Sequence, residues 1–187
     1  MGLKSASLTA LAAVLLLAAC AATSPQPFRA GSKPGELVHA DSGFHFPARI
    51  GSFARFAGHQ YDARGKDISV GYNGDIASVV TVYVFPAEGV DLEAALVSQC
   101  ADVLNAYPGA KLVDRKTIQV TPEEISAEAV SFVFSAEFHG KEQPLHSELV
   151  LARHGERFIK YRITYPAAIA DLAGEDSSKF LHHFDWP

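Results

Sequence analysis

The sequence predicts an α+β domain in which an antiparallel β-sheet, built of hairpins and a meander, packs against two amphipathic helices as a sandwich. Three observations support this fold class. Several segments alternate apolar and polar residues, as half-buried strands do. Short links rich in turn residues join these segments, which favours antiparallel neighbours. Only two segments, near residues 91–107 and 167–184, have helical spacing, which is typical of α+β rather than α/β chains.

The first predicted strands lie between residues 43 and 85. Segment 43–63 mixes short apolar pieces with Gly and Pro, which indicates a strand, a turn and another strand. Alternation over residues 68–72 predicts a further strand, and Asn73-Gly74 predicts a tight two-residue turn. The β-branched and aromatic run Val79–Phe85 then predicts a central strand that is covered on both faces.

The first helix is predicted to begin after Asp91, a good N-cap, and to end at Pro108-Gly109. Its predicted apolar stripe consists of Leu92, Leu96, Val97, Cys100, Val103 and Leu104. Cys100 is therefore expected to be a small buried hydrophobe rather than a reactive thiol.

The C-terminal half predicts a strand over Lys111–Val120, a turn at residues 121–124, and an alternating strand over Ala127–His139. Residues 145–153 and 156–165 predict a hairpin whose three-residue loop, 153–155, places Gly155 in the left-handed region. This register pairs Leu149 with Ile159 on the core side and Glu148 with Lys160 on the outer side.

The last predicted helix covers Ala167–Phe184, and Gly174 is expected to weaken its middle. The residues expected to face the sheet are Ile169, Leu172, Phe180, Leu181 and Phe184, and Trp186 is also expected to pack.

The N-terminus carries a different signal. One charge, Lys4, precedes an apolar run that is too short to span a bilayer, which is the layout of a secretory signal peptide. The run ends in Leu17-Ala18-Ala19-Cys20, which resembles the lipobox of bacterial lipoproteins. That resemblance implies lipidation of Cys20, cleavage before it and anchoring in the cell envelope. Ala21, where an aspartate would imply inner-membrane retention, implies the outer membrane, facing the periplasm. A plain signal peptide with an incidental cysteine is the alternative.

Residues 21–36 contain three prolines, two glycines and two serines, a composition that favours a flexible segment. The predicted organisation is therefore a signal peptide over residues 1–19, a lipidated flexible tether over 20–36, and one globular domain over 37–187. The formal net charge of −5, without a basic run, argues against nucleic acid as a partner and leaves lipid as the membrane attachment. Cys20 and Cys100 are the two cysteines, so a lipidated Cys20 leaves no intramolecular disulfide.

Across residues 37–187, the order of strands, helix, four strands and helix resembles the PsbP-like fold of extrinsic photosystem subunits and small bacterial lipoproteins. Members of that fold mostly serve as binding or assembly subunits and share no catalytic site. The resemblance therefore implies no functional residue for this chain.

No catalytic, cofactor or metal residue is predicted. The sequence lacks Gly-x-Ser-x-Gly, Walker-type, His-Glu-x-x-His and Cys-x-x-Cys motifs. Among eight histidines, His182-His183 with Asp185 is the tightest cluster, and His39, His45 and His59 share the N-terminal region. Adjacent helical residues point about 100° apart, so His182 and His183 are not expected to chelate one ion. The carboxylate pairs at 123–124 and 175–176 are expected to be solvated.

These observations favour a membrane-anchored envelope lipoprotein that acts as a non-enzymatic binding or assembly module, with an envelope protein as its partner. Two alternatives stay open at this stage. One is a carrier of a small apolar ligand in a cavity lined by some of the twelve phenylalanines, and the other is a hydrolase without a recognisable motif.

Overall fold

A computed structural model describes residues 26–121 and 123–187. The strands are β1 (Phe28–Ala30), β2 (Leu37–His39), β3 (His45–Phe46), β4 (Arg49–Ile50), β5 (Phe53–Gln60), β6 (Ile68–Asn73), β7 (Val79–Pro86), β8 (Lys111–Val120), β9 (Ile125–Phe138), β10 (Lys141–His154) and β11 (Arg157–Pro166). The helices are α1 (Leu92–Ala106) and α2 (Ala170–His183), and a 3₁₀ turn at Ala167–Ile169 leads into α2.

Eight strands form one antiparallel sheet in the order β4-β5-β6-β7-β11-β10-β9-β8. Helix α1 covers one face, where it packs against β10, and α2 covers the other, where it packs against β11 and β8. The predicted α+β sandwich of an antiparallel sheet and two helices is therefore confirmed.

Because both faces of the sheet are covered, the central strands bury side chains in both directions. In β10, Val150 and Ala152 enter the core under α2, whereas Leu149 and Leu151 enter the core under α1. The apolar face predicted for β9 is also confirmed, since Val130, Phe132 and Phe134 are buried under α1 and Phe138 packs at its margin. Eight of the twelve phenylalanines are buried in these two cores.

The N-terminal part of the described chain forms a small antiparallel sheet of β1, β2 and β3. Phe28 pairs with His39, and its ring lies edge-on to that of Phe46 at a centroid distance of 6.1 Å. Glu36 is only 4% exposed. The predicted flexible tether is therefore wrong over residues 27–36, because the one large apolar residue in that segment packs against the domain. Residues 1–25, with the predicted signal peptide and Cys20, lie outside the described part.

Two predicted loops are wrong in detail. β6 and β7 do form a hairpin, but Asn73 pairs with Val79, so the loop has five residues rather than a tight Asn73-Gly74 turn. Inside it the Gly74 amide donates to the Ser78 carbonyl at 2.9 Å, and Ile76 packs against the α2-side core. Burying Ile76 therefore takes precedence over the shortest possible turn.

The hairpin of β10 and β11 also has a different register. His154 pairs with Arg157, which leaves the two-residue loop Gly155-Glu156. Gly155 has the predicted positive φ, +58°, at the first loop position, where type II′ turns place glycine. Leu149 pairs with Arg162, so the predicted partners of Leu149 and Glu148 are both wrong.

Both helices occur where they were predicted, although their buried faces differ in part. Asp91 caps α1 by accepting a hydrogen bond from the Ala94 amide at 2.8 Å. The α1 residues that are fully buried are Ala95, Leu96 and Val103, while Val97 and Leu104 are exposed. Cys100 is half-buried.

In α2 the buried face consists of Ala173, Ser177, Phe180 and Leu181, followed by Phe184. Leu172 is 66% exposed, contrary to the prediction. The helix is continuous through Gly174, and the irregularity instead lies at the 3₁₀ turn. Trp186 packs as predicted, and its indole Nε1 donates to the Tyr161 hydroxyl at 2.7 Å. None of the helices in the described residues has the length and apolar character that spanning a bilayer requires.

We predict that removing residues 26–36 will destabilise the domain. A form that begins at Leu37 loses strand β1 and the packing of Phe28, and burying most of a phenylalanine side chain is worth about 2 kcal/mol. Urea denaturation should therefore give a lower free energy of unfolding for this form than for a matched form that begins at Gln26. Equal unfolding curves would show that β1 contributes nothing to stability.

Candidate functional site

A groove runs along the edge of α1, over strands β7 and β11. It consists of two adjoining depressions of about 330 Å³ and about 430 Å³, which share Tyr83, Asp102 and Lys160. These volumes lie within the range of small-ligand pockets. Helix α1 forms one wall through residues that include Gln99, Asp102 and Tyr107, and Tyr61 and Asp67 lie on the opposite side.

Strand alternation explains which residues form the floor. Along β11, Ile159, Tyr161 and Ile163 enter the α2-side core, so the residues between them must point to the α1 side. Antiparallel pairing places Lys160 beside Tyr83 and Arg162 beside Thr81. The floor therefore carries two cations, two positions apart on one strand.

The Lys160 ammonium group is held by two contacts. Nζ donates to Gln99 Oε1 at 2.5 Å and lies 4.0 Å from the centroid of the Tyr83 ring. Burial, and then the charge of Arg162, lower the pKa of Lys160 to about 8. The charges of Asp102 and Asp67 partly offset this effect on the pKa.

Arg162 is less well satisfied. Its Nη2 donates to Ser147 Oγ at 2.9 Å, whereas its Nε is shielded from solvent and has no hydrogen-bond partner within the described ranges. No carboxylate there forms an ion pair with it either. Burial lowers the pKa of Arg162 as well, but an arginine keeps its charge. A largely buried cation without a counter-ion is unusual, since buried charges are normally paired.

Aromatic rings form the other end of the groove. Tyr61 is 53% exposed, stacks on Tyr83 at a centroid distance of 6.2 Å and shares a hydrogen bond with Ser69 Oγ at 3.0 Å. His59 lies edge-on to Tyr61 at 4.5 Å. Burial raises the pKa of Tyr83 to about 12, so its phenol stays neutral at physiological pH. The groove thus combines neutral aromatic faces with fixed cations.

None of the candidate residues singled out from the sequence lines either depression of the groove, although Cys100 on α1 influences the pKa of Arg162. Cys20 is outside the described part of the chain. Cys100 is on α1, and burial raises the pKa of its thiol, which disfavours the reactive thiolate. Between residues 26 and 187, Pro122 aside, no three His, Cys, Asp or Glu side chains lie close enough to hold a metal ion.

The histidines have separate local roles. His39 is buried, with Nε2 donating to the Gly65 carbonyl at 2.6 Å and Nδ1 beside Ser42 Oγ at 2.6 Å. His45 lies 3.2 Å from Glu36. His182 and His183 each contact a backbone carbonyl one turn earlier in α2. None of them lines the groove.

One place brings a serine, an aspartate and a histidine together, between the β4–β5 loop and α2. Ser52 Oγ donates directly to an Asp176 carboxylate oxygen at 2.5 Å, and His183 lines the same depression of about 150 Å³. A hydrolytic triad needs the histidine between the serine and the acid. Here His183 Nδ1 is instead 2.6 Å from the Lys179 carbonyl, so the contact of Ser52 with Asp176 ties the loop to the helix.

The groove was missed because the predicted register was wrong by three residues. An odd shift exchanges the two faces of a strand. The prediction therefore placed Lys160 opposite Glu148, whereas the structure pairs Lys160 with Leu151 and Glu148 with Ile163. The alternation Lys160-Tyr161-Arg162 was the available signal, because two cations alternate with a core aromatic residue there.

Comparison with known proteins supports the fold alone. No protein-family model and no curated protein matches the chain. Among solved structures, it is similar to the solution structure of cyanobacterial PsbP (CyanoP) from Synechocystis sp. PCC 6803. The TM-score is 0.50 at 10% sequence identity, and the match covers 91% of this chain and 99% of the other. The fold is therefore PsbP-like.

We predict that Lys160→Met will stabilise the protein below pH 8. The folded-state pKa of about 8 lies below the ordinary value of 10.5. Below pH 8 Lys160 is protonated in both the folded and the unfolded state, so the folded protein carries the full cost of burying the charge, on the order of 3 kcal/mol. The variant avoids this cost but loses the contacts of Lys160 with Tyr83 and Gln99. A net gain of about 1–2 kcal/mol is therefore expected.

Between pH 8 and 10.5 the unfolded chain binds more protons than the folded one, so the wild type gains stability as the pH rises. The advantage of Lys160→Met should shrink across this interval. Urea denaturation at pH 7, 9 and 10.5 measures the difference directly. Lys141→Met, at an exposed lysine, is the control and should show no such trend. If the difference in unfolding free energy between Lys160→Met and the wild type did not change with pH, this result would contradict the lowered pKa of Lys160.

Proposed function

We propose that the protein is a lipid-anchored accessory module of the cell envelope, which binds a partner protein in the groove beside α1 and catalyses no reaction. The observation that carries this proposal is Arg162, a largely buried guanidinium that has no counter-ion within residues 26–121 and 123–187. A partner with an acidic side chain would complement this charge. The groove is also open enough for a protruding segment of another protein to enter.

The anchor in this proposal is Cys20, at the end of the lipobox-like Leu17-Ala18-Ala19-Cys20. Double or triple acylation holds a protein stably at a membrane, whereas one acyl chain binds reversibly. Ala21 supports the outer membrane, facing the periplasm. The acidic net charge supports lipid, rather than a basic surface, as the membrane attachment.

The fold supports a binding role for the domain. PsbP-like proteins mostly act as binding or assembly subunits, and the likeness here extends over nearly the whole chain. Nothing about a particular partner follows from a likeness at 10% identity.

The two alternatives have weaker support. A carrier of an apolar ligand would need an apolar interior space, but most of the phenylalanines pack in the two cores, and the groove is open and mixes apolar residues with charged and polar groups. A hydrolase would need a nucleophile beside a base, and the contact of Ser52 with Asp176 lacks an intervening histidine.

We predict that Cys20→Ala will abolish lipid labelling. The variant loses the thiol that carries the diacylglycerol, so cells grown with radioactive palmitate should label the wild type and not the variant. Cys100→Ala is the matched control, because it removes the other cysteine and should keep the label. An unlabelled wild type would show that Cys20 is not an anchor.

We predict that the groove, and not the opposite surface, contacts a partner protein in cells. Benzoylphenylalanine in place of Tyr61, or in place of Asp102, puts a photo-crosslinking group on either side of the groove of the full-length protein. Both positions should give one discrete adduct after irradiation, and mass spectrometry should identify the same protein in each.

Leu172 on α2 is the control position, since it is exposed and lies on the other face of the sheet. The purified partner should then bind the mature lipoprotein. The variants that carry benzoylphenylalanine at position 61 or 102 should compete poorly with the wild type for this partner. Adducts of equal yield from Leu172, or adducts that contain only lipid or glycan, would contradict a protein partner in the groove.

A further inference from the structure

The guanidinium of Arg162 has hydrogen-bond donors to spare. Nη2 is bonded to Ser147 Oγ, and that hydroxyl in turn contacts the Ile163 carbonyl and Thr164 Oγ1. Nε is shielded from solvent and has no hydrogen-bond partner among the residues that the structure describes. A buried donor without an acceptor costs about 1–3 kcal/mol, so an acceptor that enters the groove here removes an existing penalty.

The acidic residues of the groove are distributed unevenly around the two cations. Asp67 and Asp102 act on Lys160 and line the depression that it shares with Gln99, and Asp102 also borders the larger depression without forming an ion pair with Arg162. By contrast, burial and then two tyrosines and Cys100 are the main influences on the pKa of Arg162, with no carboxylate among them. Glu137 lies at the rim of the larger depression but is exposed and forms no ion pair with Arg162. The uncompensated positive charge is thus centred on Arg162.

The N–H groups of the Arg162 guanidinium indicate which kind of hydrogen-bond acceptor would fit them. A guanidinium presents parallel N–H groups that match the two oxygens of a carboxylate or a phosphate. Nε is shielded from solvent, so the Arg162 side chain must move before an oxyanion can contact this atom, and the adjoining depression of about 430 Å³ is large enough for an oxyanion. The rings of Tyr83 and Tyr107 line this depression, and the partial burial of Arg162 strengthens a charged hydrogen bond made there.

We propose that Arg162, assisted by Lys160, forms an oxyanion-binding site that takes the carboxylate of an acidic side chain on the partner protein. This inference rests on the proposed function, because it names the chemistry by which the groove recognises its partner. Arg162 provides the directional contact, and Lys160 provides a second positive charge that is two residues away on the same strand.

The first test uses the mature lipoprotein in detergent, with acetate and inorganic phosphate as model oxyanions. Each salt is titrated against sodium chloride at equal ionic strength, while arginine Nε–H resonances are followed by ¹⁵N NMR. One arginine resonance should shift saturably with acetate and phosphate but not with chloride, and Arg162→Gln should remove it. Arg115→Gln is the matched control, since Arg115 is exposed and already paired with Glu93 and Glu128.

An identical response to chloride, or a saturable shift that persists in Arg162→Gln, would overturn the site. Arg162→Lys separates charge from geometry, because it keeps the cation and loses the fork of donors. The Arg162→Lys variant should therefore still bind acetate and phosphate, but weakly. Thermal unfolding without added anion checks the fold of each variant, and Arg162→Gln should be at least as stable as the wild type, since an unpaired buried charge has been removed.

The second test repeats the crosslinking from position 61 in these backgrounds. Removing one partner of a desolvated charge pair usually weakens binding by roughly 30-fold or more, so Arg162→Gln should nearly eliminate the adduct and Arg115→Gln should not. The two proposals can then fail separately. A normal adduct in Arg162→Gln refutes the oxyanion site and leaves the groove as the docking surface, whereas acetate binding without any adduct refutes the protein partner.

Discussion

The pairing of β10 with β11 determines which side chains reach each face of the sheet. The loop Gly155-Glu156 sets this register, and ten paired positions carry it to the other end of the two strands. With this register, Tyr161 enters the α2-side core while Lys160 and Arg162 reach the groove. A slip by one residue would place both cations in the α2-side core and move Tyr161 out of it to the α1 side, so the packing of both faces favours a single alignment.

Much of the fold could be predicted because its signals are local. The alternation of Phe132 and Phe134 with Ser131 and Ser135 is a property of the sequence itself, as is the capping of α1 by Asp91. The errors arose where tertiary packing decides between local alternatives. A leucine at position 172 fits a helical stripe, but the small Ala173 and Ser177 are the residues that let α2 lie close to the sheet. The burial of Phe28 likewise needs a partner surface that appears only in the folded chain.

The candidate site was less accessible to prediction. Its components come from β7, α1 and β11, and their proximity depends on strand order and on a register that differs by three residues from the one that the sequence predicted. The net charge argued against nucleic acid as a partner, yet it could not indicate that one arginine would be buried without a counter-ion among the described residues. Charge counts describe the whole chain, whereas binding depends on where each charge is desolvated.

The pairing of β1 with β2 limits how far the domain can lie from a membrane. If Cys20 carries lipid, as proposed, it lies only eight residues before Phe28 in the chain, and Phe28 is already fixed in the small sheet. A fully extended chain spans at most about 3.5 Å per residue, so the first ordered strand lies within about 28 Å of the bilayer surface. If Cys20 is the anchor, the domain and its groove cannot move farther from the bilayer than this short link and the width of the domain allow, which favours partner proteins that are themselves held at the membrane.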